Sequence, residues 1–468
     1  MPRHLSIKPI LTGFAVVILA GCTLGPNYVK PDAPVPLTFK EGAPWTEAAP
    51  RDQLAKGPWW ELYGDPVLND LQSRAAAANQ QLKGAVARLD QARALARVNK
   101  ADLTPRLDLQ PTAQRGRFTA EQSGVAGGLT ANHFRLPLDL SYEVDIWGRV
   151  RRSIEAATAD YQASAADFET VRLTLHAEMA RNYFALRALD AEIALLQRSV
   201  ELRQEALFLV QTRFANGVVS ELDVARAETE LATTEAEAIG LSKRRGELEH
   251  ALAVLLGQAP ASFNLAAAPL DLQPLNVAPG LPSQLLERRP DVAAAERQMA
   301  AANARIGVAE TAFFPAIRLT GSAGYASGEI ASLFDWSSRS WALGPAISLP
   351  IFDGGRNSAN LARAKSAHEE AVANYRQQLL VAFGEVEDGL LGLRLLSAQA
   401  GVQQRAVLAA RRAAELSDKR YRAGMVSYLE VVDAQRTALQ SERSAVQLLG
   451  QQLQTSVLLI KALGGGWG

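Results

Sequence analysis

Phe214-Ala215-Asn216-Gly217-Val218-Val219-Ser220-Glu221-Leu222-Asp223-Val224 returns later in the chain as Tyr421-Arg422-Ala423-Gly424-Met425-Val426-Ser427-Tyr428-Leu429-Glu430-Val431. The same separation superposes Ser141 on Ser348 and Trp147-Gly148-Arg149 on Gly354-Gly355-Arg356. Pro105 and Pro315, each closing a helical pattern, stand at nearly that separation too. So long a period is no solenoid unit; it marks one large module used twice. Each motif reads as the end of one helix, a turn and the start of the next. Glycine supplies the left-handed residue that ends a helix. Ser220 and Ser427 read as N-caps, with Asp223 and Glu430 three residues on as in a capping box.

Upstream of each turn lies an uninterrupted helical pattern. No proline occurs between Arg149 and Gln258, and Arg149–Arg213 makes a helix of about 100 Å at roughly 1.5 Å per residue. Its second copy is Gly355–Tyr421; the returning helices are Ser220–Leu256 and Ser427–Leu463. Leu173, Ala177, Ala180, Phe184 and Leu195, and again Ala364, Ala367, Ala371 and Tyr375, recur at roughly helical intervals. Such lengths fit a coiled coil or a helical tube, not a compact core. A shorter helix opens each half, Asp65–Leu103 and Pro282–Phe313, stopped by Pro105 and Pro315.

Between short and long helix the period changes to two. Arg106-Leu107-Asp108-Leu109-Gln110 alternates, as does Ala316-Ile317-Arg318-Leu319-Thr320. Returning strands are expected around Phe134–Tyr142 and Trp341–Leu349, although Pro137 and Pro345 weaken interior pairing. These lengths suit tilted membrane strands or soluble ones. Four strands cannot close a membrane barrel, and in hydrocarbon every edge must be paired. If the strands are in the membrane, several chains share one barrel.

The chain has 468 residues, with 49 basic and 49 acidic side chains, which argues against a nucleic-acid binder. It contains one cysteine, Cys22, so neither an internal disulfide nor a cysteine cluster for zinc or iron–sulfur can form. His4, His133, His176, His250 and His368 have no metal-ligand spacing. No nucleophile elbow, phosphate loop or His/carboxylate constellation is present, so an enzyme is not expected, nor a cofactor or bound metal. Glu385, Glu387 and Asp388 read as a solvated helix face with interchain ion pairs, and Pro290 and Asp291 as the first turn of a helix.

The chain begins with a basic stretch (Arg3, Lys8), an apolar run from Ile10 to Ala20, and then Leu19-Ala20-Gly21-Cys22. This is a secretory leader ending in a lipoprotein-type cleavage site. Several acyl chains on Cys22 would anchor the chain firmly, at about 0.8 kcal/mol per buried methylene. Thr23 after it, in place of Asp, favours the outer membrane by resemblance to lipoprotein sorting. The expected organisation is a signal peptide (1–21), an N-terminal anchor segment (22–60), a first repeat (61–257), a link between the repeats (258–281), a second repeat (282–462) and a tail (463–468).

Taken in order, Cys22-Thr23-Leu24-Gly25-Pro26-Asn27-Tyr28 with Pro31, Trp59-Trp60, Leu68, Glu287-Arg288-Arg289-Pro290-Asp291, Pro350-Ile351-Phe352-Asp353-Gly354-Gly355-Arg356, Tyr421 to Gly424 and Asp433-Ala434-Gln435 resemble the TolC-like outer membrane factors, in their lipoprotein (NodT or OprM-like) branch serving resistance–nodulation–division (RND) efflux systems. The resemblance spans essentially the whole chain after Cys22. It implies a mostly α fold with a transmembrane β-barrel. In that fold a trimer with four strands per chain forms a twelve-stranded outer-membrane barrel, continued by a long periplasmic α-helical barrel. It implies a passive channel for drugs, metals or other small solutes, with a periplasmic adaptor and an inner-membrane RND pump as partners. Adaptor docking is expected at the tip turns, Phe214, Gly217, Ser220 and Leu222 and their counterparts Tyr421, Gly424, Ser427 and Leu429. Related channels place acids at the narrow end; here either an apolar constriction at Val426 or one built from Glu430, Asp433 and Asp223 stays open. A duct for protein secretion and a non-conducting coiled-coil lipoprotein are the alternatives.

Overall fold

A computed structural model describes residues 23–32, 35–36, 38–41, 57–124, 126–275 and 288–465. The described residues fall into two compact units. One lies within Met1–Asp32, Arg88–Ala165 and Ala294–Arg376, and the other within Ala33–Ala87, Ala166–Ala293 and Gln377–Gly468. Each draws on both copies of the repeat.

Besides a four-residue helical turn at Ala120–Ser123, the α-helices among the described residues are α1 (Pro66–Ala78), α2 (Gln80–Ala101), α3 (Arg149–Ala215), α4 (Glu221–Leu255), α5 (Pro290–Thr311), α6 (Arg356–Arg422) and α7 (Tyr428–Ala462). The duplication is kept in their lengths: α3 and α6 have 67 residues each, α4 and α7 35 each. Asp145 accepts from the Val150 and Arg151 amides at the start of α3. Asp353 does the same for Gly355 and Asn357 at the start of α6, satisfying N–H groups that a first turn leaves unpaired.

The first helix is not continuous as its sequence suggests. It breaks at Asn79, whose Oδ1 accepts from the Leu82 amide at 2.9 Å and whose Nδ2 donates to the Leu255 carbonyl at 2.8 Å. A buried asparagine bonded on both sides holds the break more firmly than the surrounding alanines favour continuity. Residues 276–287, including Glu287 and the expected start of the second short helix, lie outside the described residues. Pro290 and Asp291 do open α5, and Asp291 accepts from the Val292 amide.

One antiparallel sheet belongs to the first unit, with order β1-β3-β4-β5 and β2 also paired to β3. Its strands are β1 (Arg106–Leu109), β2 (Thr112–Phe118), β3 (Leu129–Glu143), β4 (Ala316–Ser327) and β5 (Arg339–Ser348). β1 and β2 occupy one position along β3, interrupted at Gln110-Pro111 because proline has no N–H for the ladder. The four expected strand positions are thus filled by five segments. Pro137 is accommodated inside β3 opposite Gly324 of β4.

Register sorts the side chains by face, since directly paired residues share one. Leu107 and Leu109 pair with Leu140 and Leu138, these with Gly321 and Ala323, and these with Leu343 and Trp341. Ile317 pairs with Ile347 on the same face. The opposite face carries Arg106, Asp108, Asp139, Ser141, Thr320 and Ser322. Among the described residues nothing covers the apolar face: Trp341 is 81% exposed and Leu343 69%. Both sheet edges, β1/β2 and β5, are unpaired among the described residues.

Candidate functional site

Both hairpin reversals are built the same way. Gly217 (φ 71°) and Gly424 (φ 75°) take the left-handed conformation. The Gly217 and Val218 amides return to the Phe214 and Arg213 carbonyls, and those of Gly424 and Met425 to Tyr421 and Arg420, all at 2.9 Å. This double closure satisfies the last carbonyls of α3 and α6. Beneath the turns, Val210, Ala227, Tyr421, Tyr428, Val431 and Val432 form a buried cluster. The rings of Tyr421 and Tyr428 lie 5.5 Å apart, and the Arg213 guanidinium sits 4.5 Å over Tyr421. Burial, reinforced by the neighbouring Tyr421, pushes the Tyr428 hydroxyl up to about 12, so it stays neutral.

A buried ion pair lies further along the same hairpins. Arg203 of α3 donates to the Glu230 carboxylate at 2.5 Å and to its carbonyl at 2.7 Å, and each side chain is 8% exposed. Arg436 of α7 closes on the other carboxylate oxygen. This triad joins α3, α4 and α7, and sequence reading missed it. Its members lie 27 and 206 residues apart, so no local spacing marks them.

The expected tip residues divide by environment. Phe214, Leu222 and Leu429 are exposed apolar side chains on the turns, together with Val218 and Met425. Tyr421 is buried. Val426 packs against the tip cluster, while Glu430 and Asp433 are exposed on α7. Asp223 is engaged locally, accepting from both the amide and the hydroxyl of Ser220. Ser427 makes no side-chain cap, so the capping arrangement expected with Glu430 is absent from the second copy. Cys22 lies outside the described residues.

The acidic run on α6 is divided among partners inside the chain. Glu385 pairs with Arg289 at 2.6 Å, Glu387 accepts from the Lys40 and Glu41 amides, and Asp388 is exposed. Arg289, Lys40 and Glu41 thus supply partners for the first two within the chain itself. Among the described residues no group of His, Cys, Asp and Glu is arranged to hold a metal ion, and no helix is long and apolar enough to cross a membrane.

The model of the family described as "Outer membrane efflux protein" matches residues 71–258 and 281–465, one segment per repeat. The chain belongs to the outer membrane efflux protein family. It is 34% identical to outer membrane protein OprJ of Pseudomonas aeruginosa, over 98% of this chain and 97% of that one. It is also 34% identical to the toluene efflux pump outer membrane protein TtgI of Pseudomonas putida, over 97% of each chain. Among solved structures it superposes on the outer-membrane channel OprN with a TM-score of 0.88, at 32% identity, covering 95% of this chain and all of the other. On the CmeC outer membrane channel of Campylobacter jejuni the TM-score is 0.90, at 27% identity, covering 95% of each. The protein is accordingly the outer-membrane channel component of an RND-type tripartite efflux pump, a passive duct and not an enzyme. It works as a homotrimer with a periplasmic adaptor and an inner-membrane transporter.

In this family setting the uncovered apolar face of the sheet is the lipid-facing side, and the unpaired edges meet those of neighbouring subunits. Leu343→Arg should destabilise the trimer by about 2–4 kcal/mol per chain, the cost of a cation at the bilayer midplane. Ala346→Arg, on the opposite face, should cost little. Comparing the temperatures at which the two trimers dissociate on gels checks this.

In the second unit, a cavity of about 330 Å³ is lined by Trp59, Trp60, Gln72, Glu169, Arg172 and His176 among others. The His176 ring stacks on Trp60 at 4.2 Å, and its Nδ1 lies 2.7 Å from Gln72 Oε1. Burial, aided by the Arg172 charge, lowers its pKa to about 4. A histidine depressed in the folded state is protonated first in the unfolded chain. Stability is therefore complete above about pH 6.5 and falls as pH drops toward 4, by up to about 3 kcal/mol per chain. His176→Gln should flatten this loss in urea melts between pH 7 and 4. An unchanged slope would assign the acid sensitivity to carboxylates.

Proposed function

We propose that the two hairpin tips are the surface that engages the periplasmic adaptor, and that Cys22 carries the acyl anchor. The observation that carries the docking reading is the ring of uncovered apolar side chains on two identically closed turns: Phe214, Val218 and Leu222 on one, Met425 and Leu429 on the other. Exposed apolar groups on a rigid backbone are what a helical partner buries. Docking spreads the hairpins and opens the passage, with Val426 and the acids Glu430, Asp433 and Asp223 as the constriction of the assembled trimer. Repeats 61–257 and 282–462 each supply one hairpin, joined by 258–281. The cargo is small organic compounds, as relatives in pumps named for toluene, solvents and antibiotics suggest.

Single cysteines at Leu222 and Leu429 test the docking surface, with Val29→Cys, which is more exposed than either, as the control. The tip cysteines should crosslink to the adaptor in intact cells and the control should not. Equal crosslinking at all three sites would remove the tips as a specific surface. Cells lacking the channel should regain tolerance to toluene and antibiotics when it is restored. Restored tolerance to metal salts alone would redirect the cargo.

A further inference from the structure

The first described residues run across the sheet-bearing unit as a strap held by a buried arginine. Arg152 of α3 is 3% exposed. Its Nε donates to the Leu24 carbonyl, and its Nη2 to the Gly25 carbonyl and Asn27 Oδ1, each at 3.0 Å. Its Nη1 is paired with Glu155 at 2.8 Å. The Leu24 amide donates to the Trp147 carbonyl, and Asn303 of α5 donates to the Pro26 carbonyl at 2.9 Å. Further along, Tyr28 donates to Glu296 at 3.2 Å, Lys30 pairs with the same carboxylate at 3.0 Å, and Tyr28 packs on Ala159, Ala300 and Ala301. Backbone fits backbone closely. A Cβ on Gly307 would come within 2.8 Å of the Leu24 carbonyl oxygen, and one on Gly25 within 2.4 Å of Gly307 Cα. Thr23 lies against Gly148, next to Trp147, whose indole packs on exposed Phe314 and donates to the Pro315 carbonyl at the start of β4.

So many bonds to main-chain carbonyls do not recognise side chains; they fix the path of the segment that follows Cys22. We propose that Arg152 is a positioning residue for the lipid anchor: it clamps the strap so that Thr23, the residue that follows the acylated cysteine, is held where strand gives way to long helix. This rests on the reading of Cys22 as the acylated residue. The clamp shortens the tether between membrane and sheet from about ten residues to about two. Effective concentration falls with roughly the three-halves power of tether length, so the clamp raises that of the sheet at the bilayer by about tenfold. Its effect is on how fast the strands enter the membrane and assemble, more than on the finished trimer.

The test follows the appearance of heat-resistant trimers when urea-unfolded, acylated mature chain is diluted into phospholipid vesicles. Arg152→Ala should slow this about tenfold. Gly307→Ala keeps the arginine and favours the helix, yet crowds the strap, and should slow it in the same direction. An eight-residue Gly/Ser insertion between Cys22 and Thr23 leaves the clamp intact and lengthens the tether. It should slow the wild type about tenfold and the Arg152→Ala chain only two- to threefold. Wild-type rates for the insertion chain would overturn the proposal, leaving Arg152 a structural residue only. Mass measurement of the wild-type N-terminal peptide separates the two readings: an unacylated Cys22 defeats the anchor assignment itself, and an acylated Cys22 with unaltered rates defeats only the clamp.

Discussion

Gly324→Ala is expected to abolish the heat-resistant trimer. A Cβ at this position of β4 would lie 2.0 Å from the Leu136 carbonyl oxygen and 2.8 Å from Pro137 Cα on the adjacent strand. Both obstacles are backbone, so no side-chain rotation relieves them. Pro137 is the reason for the closeness: it sits within β3 directly opposite Gly324, where the ladder already lacks an N–H donor. Overpacking usually costs about 1–3 kcal/mol, and a collision between main chains stands at or above the top of that range. In a trimer the cost is paid in each subunit. Gel mobility of unheated membranes reads the outcome. Gly344→Ala, where a Cβ meets nothing within 4 Å, is the matched control and should leave the trimer intact.

Glu230→Ala is expected to destabilise the hairpin region by about 3–5 kcal/mol, the usual result of leaving one member of a buried ion pair without its partner. Arg203 would keep its bond to the residue 230 carbonyl but lose its counter-charge at 8% exposure. Arg436 is 61% exposed and can be resolvated. Arg436→Ala should therefore cost about 1 kcal/mol or less, in line with exposed pairs. The asymmetry separates a buried pair from a surface network, and hydrogen exchange of α3 and α4 near the tips would register it. Since the triad spans both hairpins, its loss should also raise the fraction of time the channel conducts.

The helical half of the fold was written plainly in the sequence. The repeated turn motif and the absence of proline placed α3 at Arg149–Arg213 against an observed Arg149–Ala215, and α6 equally closely. Periodicity works there because a long helix repeats the same local rule. It failed where one side chain overrides the rule through a distant partner. Asn79 interrupts an alanine-rich run because Leu255, 176 residues away, accepts from its amide. Pro111 splits a strand that alternation alone would continue. Ser427 and Ser220 occupy equivalent places, yet only Ser220 is engaged by its acid three residues on, since Glu430 is longer than Asp223 and stays in solvent. The acids of α6 looked like one solvated face, but Glu385 and Glu387 are claimed separately by Arg289 and by the amides of Lys40 and Glu41. The Arg152 clamp left little pattern, because apart from Asn27 and Glu155 it bonds main-chain carbonyls, which every sequence has.

Single-channel recording from the purified mature protein in planar bilayers, with its mass in detergent measured alongside, tests the shared-barrel duct most directly. A trimer with small, rarely open conductance, enlarged when Tyr421→Ala and Tyr428→Ala empty the tip cluster, is the predicted result. A monomer that passes no current, even with both substitutions in place, would contradict it.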